Sequence, residues 1–418
     1  MTRVRSIAVA LSVALGVVST AAVVAPSAVY AAAEQAKPKL SKPVAVPLAA
    51  AQKAAAAKQW DVAAAEIKKA QAVEKRTPVE DYWIDEILGY TLVAQKKYSQ
   101  AAPVYERTLN SGLMPPEQVD ERIRAVAQIY SQEQDDKKTI EWTKKYLAKH
   151  PGDEDMSARL AYAYFGQKDY KSASATMSGL VSSIEKSGQT PKENYLQIVR
   201  RSEFELDNKD AMAEATKKLV RYYPKPEDWK ILTDIYSRKQ NSGRVTLGFY
   251  RLMNEVGVLK DKGDFDEAAK LALEAGVPGE AESLVQKGID IGVLKSDDKT
   301  EQGRFDRLIS AAKKQAADDR QSLEQDAKNA EKATQGQPSV GLGQAYLSYG
   351  MYEQAIAALQ AGIKKGGVTD LDEAQVSLGI AQLKKGLKDQ ARQSFKAVKP
   401  DSKWADLASL WTLRTYQS

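Results

Sequence analysis

The sequence predicts an all-α protein, a solenoid of stacked antiparallel helix pairs with an irregular helical middle and a C-terminal capping helix. Three observations carry this. The phrase Gly89…Tyr98-Ser99-Gln100-Ala101…Tyr105 returns as Gly343…Tyr352-Glu353-Gln354-Ala355…Leu359 and as Gly379…Lys388-Asp389-Gln390-Ala391…Phe395, with the same offsets each time. A repeat of this length is one helix–turn–helix unit that cannot bury its apolar face alone and must stack on its neighbours. Only 7% of the 418 residues are aromatic, while Ala, Lys, Glu and Gln abound, which favours helix over sheet. No long stretch alternates β-branched with polar residues, as a strand would.

From the N-terminus, Arg3 and Arg5 precede an almost wholly apolar run, Ile7 to Ala25, that Pro26 breaks. Val29-Tyr30-Ala31 places small residues where a signal peptidase would cut, so residues 1–31 read as an export signal cleaved near Ala31. The run is also about as long as a membrane span, which makes a retained anchor the alternative. No second apolar span follows. The chain has no cysteine, so disulfides, thiolate metal sites and an acylated cysteine are excluded. The expected location is the bacterial periplasm, with no stable membrane insertion after cleavage. The net charge of +6 is small for this length, and acids and bases interleave as on solvated helix faces. With no basic stripe carrying interleaved aromatics, nucleic acid is not an expected partner.

Residues 32–47, with Pro38, Pro43 and Pro47, read as a Pro/Lys linker. Residues 48–200 read as the first repeat array. Its first unit gives Ala51, Trp60, Ala63, Ile67 and Ala70, and the second gives Leu88-Gly89, Tyr98, Ala101 and Tyr105. Ile123, Val126, Ala127, Tyr130 and Pro151 mark a third; Leu160-Ala161, Tyr164, Tyr170, Ala173 and Met177 mark a fourth. At these residues the chain resembles the tetratricopeptide repeat family, and its block from Leu247-Gly248-Phe249-Tyr250-Arg251 through Gly276-Val277-Pro278-Gly279-Glu280-Ala281 is similar to one that recurs in exported proteobacterial repeat proteins. In that family a small residue of helix A and an Ala of helix B mark a close crossing, and a large residue of helix B fills the gap beyond it.

Residues 201–335 read as degenerate repeats and a long charged helix. Arg201 sits at a small position, and the Ala268 of Asp264-Phe265-Asp266-Glu267-Ala268-Ala269 comes too soon after Val245 for a clean repeat. Gly276-Val277-Pro278-Gly279 separates two helices, and Glu301 to Lys332 reads as one helix with a narrow stripe of Phe305, Leu308, Ile309, Ala312 and Ala316. Residues 336–418 hold two further repeats and a last helix whose Trp404, Leu407, Leu410, Trp411 and Leu413 would cap the array.

A search for chemistry returns little. The single histidine, His150, ends a helix just before Pro151 and reads as a partner of the last carbonyls. Asp135-Asp136, Asp153-Glu154-Asp155 and Asp297-Asp298 lack calcium-loop spacing and suit helix caps. Neither Gly366-Gly367 nor Gly341-Leu342-Gly343 follows a strand, so neither forms a phosphate loop. No catalytic residue, metal site or cofactor is expected. A carboxylate pair for glycoside cleavage would need a compact catalytic domain, which the helix pairs leave no room for. The resemblance therefore implies binding of a protein or peptide on the concave face. Its helix-A offsets point to Trp83, Tyr90, Arg124, Tyr162, Phe165 and Tyr195, with Glu86, Val340, Gln344 and Leu347 also on that face. The expected role is a non-catalytic scaffold or assembly factor. The alternatives are an accessory subunit of an envelope polysaccharide or outer-membrane machine, or a cell-wall hydrolase like the lytic transglycosylases.

Overall fold

The computed structural model describes residues 40–238 and 242–417. The export signal and the first part of the linker lie outside the described residues. Those described form twenty helices and no strand. The chain divides into two compact units, one up to Asp207 and one from Asn208 onward.

The first unit contains α1 (Lys42–Ala56), α2 (Trp60–Gln71), α3 (Pro78–Ala94), α4 (Tyr98–Asn110), α5 (Pro116–Gln132), α6 (Asp136–Leu147), α7 (Glu154–Gly166), α8 (Tyr170–Lys186) and α9 (Glu193–Glu205). Helix α1 starts inside the stretch expected to be linker. Pro43 falls in its first turn, where the missing N–H has no helical partner to lose, and Pro47 is absorbed further in at the loss of one bond. Its reward is burial: Val44, Leu48 and Ala51 pack with Ile67 of α2 and Ile84 and Ile87 of α3.

The repeated phrase works as the packing argument requires. A β-carbon added to Gly89 would collide with the Tyr105 ring, and one on Gly379 with the Phe395 ring; on Gly343 it would lie 2.6 Å from Leu359 Cγ. Ala101, Ala173, Ala355 and Ala391 are fully buried at the matching crossings. Each small residue admits the large side chain of its own partner helix, so the two form one steric unit.

Helix starts are set locally. Thr77 and Glu80 form a capping box at α3, and the carboxylates of Asp135, Asp153 and Asp169 accept from backbone N–H groups that open α6, α7 and α8. These include two of the acidic clusters noted in the sequence. His150 departs from expectation. Its Nε2 lies 3.1 Å from Asp120 Oδ2 and its ring stacks on Tyr146, so the side chain joins α5 to the end of α6 instead of meeting the last carbonyls.

The second unit contains α10 (Lys209–Tyr222), α11 (Pro226–Ser237), α12 (Gly243–Glu255), α13 (Lys262–Glu274), α14 (Pro278–Asp290), α15 (Lys299–Lys332), α16 (Gln337–Ser348), α17 (Tyr352–Lys365), α18 (Leu371–Lys384), α19 (Lys388–Lys396) and α20 (Ala405–Arg414). The degenerate stretch is not a connector. One hydrophobic core runs from Ala213 through Phe249, Phe265 and Phe305 to Phe395 and Trp411, joining that stretch to the last repeats. The long helix α15 docks along its length. Phe305, Leu308, Ala312 and Ala316 are buried, Tyr349 Oη donates to Asp319, and Lys365 Nζ donates to the carbonyls of Ala330, Glu331 and Ala333.

The last helix packs on α19, as a cap should, and also on α10 and α12. Leu407 fills the space beside Gly248, Arg414 pairs with Glu255 at 3.2 Å, and Gln417 Nε2 donates to the Val220 carbonyl. The second unit is therefore a closed ring of helices.

Candidate functional site

In the first unit the A helices of successive pairs touch one another, α1 with α3, α5 with α7, and α7 with α9. The B helices show no such mutual packing, so the A helices form the inner layer. All six residues singled out in the sequence lie on them, but they are more engaged than a bare binding face would be. Tyr195 is 4% exposed, and its hydroxyl donates to Glu154 Oε1 at 3.0 Å. Tyr162 accepts from Asn194 Nδ2 at 2.7 Å, and burial, with Tyr195 beside it, pushes its hydroxyl up to about 12.

Trp83 stands edge-on to Tyr82 and packs against the core of the first pair; Tyr90 meets Trp60 edge-on at 6.1 Å. Arg124 reaches Asp153 at 3.6 Å, and Phe165 lies between Tyr170 and Arg201. The structure thus brings Tyr162 and Tyr195 together through Asn194, Lys192 and Glu154, while Trp83 and Tyr90 turn toward the first pair. All but Tyr195 keep part of their surface exposed.

The firmest link in this layer was missed in part. Arg122 makes a two-pronged ion pair with Glu86, both bonds 2.7 Å, and its guanidinium lies 4.1 Å from the Tyr105 ring centre. Burial alone would lower the Arg122 pKa, and the facing Glu86 carboxylate raises it instead. Glu86 was on the predicted face. Its partner sits 36 residues on, close to one repeat length, and that spacing was the available signal.

The second unit holds a cavity of about 720 Å³, lined by residues of α12, α14, α15, α16, α17, α18 and α20. Gln344 and Leu347, expected on a binding face, line it; Val340 does not, being buried in the core between α16 and α18. Ion pairs brace the wall. Arg251 joins Glu280 at 2.7 Å, Arg320 pairs with Glu282, and Glu255 receives both Lys384 and Arg414. Burial would lower Arg251, but Glu280 raises it above its usual value. Every acidic residue on this wall is tied to a cation or an amide, Asp290 to Gln286 Nε2 at 2.8 Å. Among the described residues no group of His, Cys, Asp and Glu is arranged to hold a metal, and no helix is long and apolar enough to cross a membrane.

No family model matches the chain, and no curated protein matches it. Among solved structures it is similar to a tetratricopeptide repeat protein from Parabacteroides merdae, at 13% identity over 65% of this chain and 100% of that one, with a TM-score of 0.32. It is also similar to the structure of Naa15/Naa10 bound to HypK-THB, at 14% identity, 86% and 64% coverage, and a TM-score of 0.31. A third is the APC/C hetero-tetramer Cut9–Hcn1, at 12% identity, 85% and 59% coverage, and a TM-score of 0.22. The chain spans less than two thirds of the length of those last two. The fold itself rests on the stacked pairs and their Gly–large-residue crossings. These helix pairs resemble tetratricopeptide units.

Proposed function

We propose that this protein is a non-catalytic protein-binding scaffold or assembly factor of the bacterial periplasm, holding a peptide or partner protein on the inner A-helix face of its first unit. The observation that carries the reading is the state of that face. Trp83, Tyr90, Arg124, Tyr162 and Phe165 keep an exposed edge while their remaining surface is fixed by neighbouring helices. Rings held this way offer contact area with little rotamer entropy left to lose, the usual basis of a binding surface. Periplasmic location follows from the basic residues, apolar run and small-residue site that open the sequence.

The test is site-specific photocrosslinking in the native envelope, with the crosslinker placed at Trp83, Tyr90 or Tyr162. One defined protein adduct is expected, and it should disappear when Arg124→Glu is added. Absence of an adduct from all three positions, with circular dichroism unchanged, overturns the reading. N-terminal sequencing of the cell's own protein checks the location, with Ala32 as the expected first residue. A cleared band for the purified protein on a cell-wall zymogram would replace the scaffold with a hydrolase.

A further inference from the structure

The ring cavity of the second unit has a chemistry that protein docking on the first unit does not use. Its lining carries five cations, Arg251, Lys287, Lys313, Arg320 and Lys384, against four carboxylates. Glu255 is shared by Lys384 and Arg414; Lys287 donates to the neutral Asn254 side chain, at 2.5 Å; and Lys313 at the rim has no ion-pair partner among the described residues. The neutral polar groups, Ser283, Gln286, Gln344 and Ser348 among them, are hydroxyls and amides, which both donate and accept. Tyr349 and Tyr352 add aromatic surface. Trp411 is 1% exposed, and its Nε1–H is buried without an acceptor, so the polar chemistry of this wall is incomplete.

We propose that this cavity binds a short acidic oligosaccharide, one whose sugar rings carry a carboxylate. The carboxylate answers Lys313 and Lys287, the sugar hydroxyls exchange hydrogen bonds with the serine and amide groups, and the ring C–H faces lie on the aromatic side chains. The cavity falls within the roughly 300–1,000 Å³ range of small-molecule sites. An extended peptide is the poorer fit. The walls are helices whose backbone groups are already bonded to one another, so they present no strand edge to its main chain.

The test titrates the full chain at low salt with trigalacturonate, with the neutral trimer of N-acetylglucosamine, and with the tripeptide Glu-Glu-Glu. Calorimetry reads affinity. Spectra of protein labelled with ¹⁵N at its indoles read Trp411, whose resonance is assigned by its loss in Trp411→Phe. Trigalacturonate is expected to bind one-to-one, to shift the Trp411 resonance, and to weaken tenfold or more in Lys313→Gln but not in Lys314→Gln, whose exposed amine does not line the cavity. Absence of trigalacturonate binding overturns the proposal. So does equal binding of the neutral trimer, or tripeptide binding as tight as the sugar's. Lys313 is exposed, so its variant reads the site with the fold intact, and none of the outcomes depends on the scaffold reading of the first unit.

Discussion

Leu407 occupies the space that a side chain on Gly248 would need: a β-carbon there would collide with Leu407 Cδ2. The contact joins helices at opposite ends of the second unit's sequence, and it changes how that unit should unfold. In an open solenoid each repeat leans only on its neighbours, so loss of the last helix loosens the last pair first. In a closed ring the same loss also strips a neighbour from the beginning. Removal of residues 404–418 should therefore speed amide exchange about tenfold or more in α10 and α12 as well as in α18 and α19, read by mass spectrometry. Gly248→Leu should destabilise the unit by about 1–3 kcal/mol through overpacking at the same junction. Faster exchange confined to α18 and α19 would mean that the ring does not carry stability.

A second prediction concerns the Glu86–Arg122 pair. Both side chains are nearly buried, at 9% and 10% exposure, so neither charge can be hydrated if its partner is lost. Glu86→Ala should cost about 3–5 kcal/mol, the usual penalty for stranding one buried charge. The double change Glu86→Leu with Arg122→Met should recover most of that loss, because it strands nothing. Denaturant titration of the single and double variants measures both, and a double variant no more stable than Glu86→Ala would contradict the assignment.

Acid should act early on the first helix pair. Glu80 accepts from Ser41 N and Oγ at 2.8 and 2.6 Å and from Thr77 N at 2.8 Å, tying the start of α1 to the start of α3. Those bonds, the Ser41 hydroxyl's first, lower its pKa from 4.5 to about 2. A depressed folded-state pKa means a stabilisation that is complete above about 4.5 and is lost as the pH falls toward 2. Exchange protection of α1 should therefore decline between pH 4.5 and 2, and Glu80→Gln should flatten that decline while lowering protection at neutral pH. An α1 with the same pH profile in both proteins would show that Glu80 does not hold it.

What could be read from the sequence follows from what is local. The Gly89, Gly343 and Gly379 positions, with Tyr105, Leu359 and Phe395 opposite, were legible because helix pairing obliges a small residue to face a large one at a fixed offset. Helix α1 was misplaced because Pro43 and Pro47 count against helix, and only tertiary burial of Val44 and Leu48 reverses the balance. The closed ring was out of reach for a different reason. Trp404, Leu407 and Trp411 declare that the last helix is covered, but nothing in their spacing says that part of the cover comes from α10 and α12. The same holds for the candidate surfaces. Offsets found the layer on which Tyr162 and Tyr195 lie, but not that Asn194 and Glu154 hold them there. The cavity draws on helices from α12 to α20, so only ring closure assembles it.

The last prediction returns to the turn inside each helix pair, where one residue must adopt a left-handed backbone. Lys58, Lys96, Gln134 and Lys168 do so in the first unit, with φ between 58° and 62°. At the corresponding turns of the second unit Gly276, Gly350 and Gly386 take the position, with φ of 74°, 72° and 83°. For an L-residue this conformation costs about 1–2 kcal/mol, whereas glycine meets it freely but loses more chain entropy on folding, about 0.5–1 kcal/mol. An added β-carbon at Gly386 meets nothing within 4 Å, so substitution there isolates the backbone term. Gly386→Ala should lower stability by about 1 kcal/mol. Lys96→Gly should leave stability unchanged or raise it by up to about 1 kcal/mol, since it relieves the same strain. Thermal melts of the two variants, read by circular dichroism, should move in opposite directions or only the first should move. A destabilised Lys96→Gly would show that the Lys96 side chain contributes a contact larger than the strain it imposes.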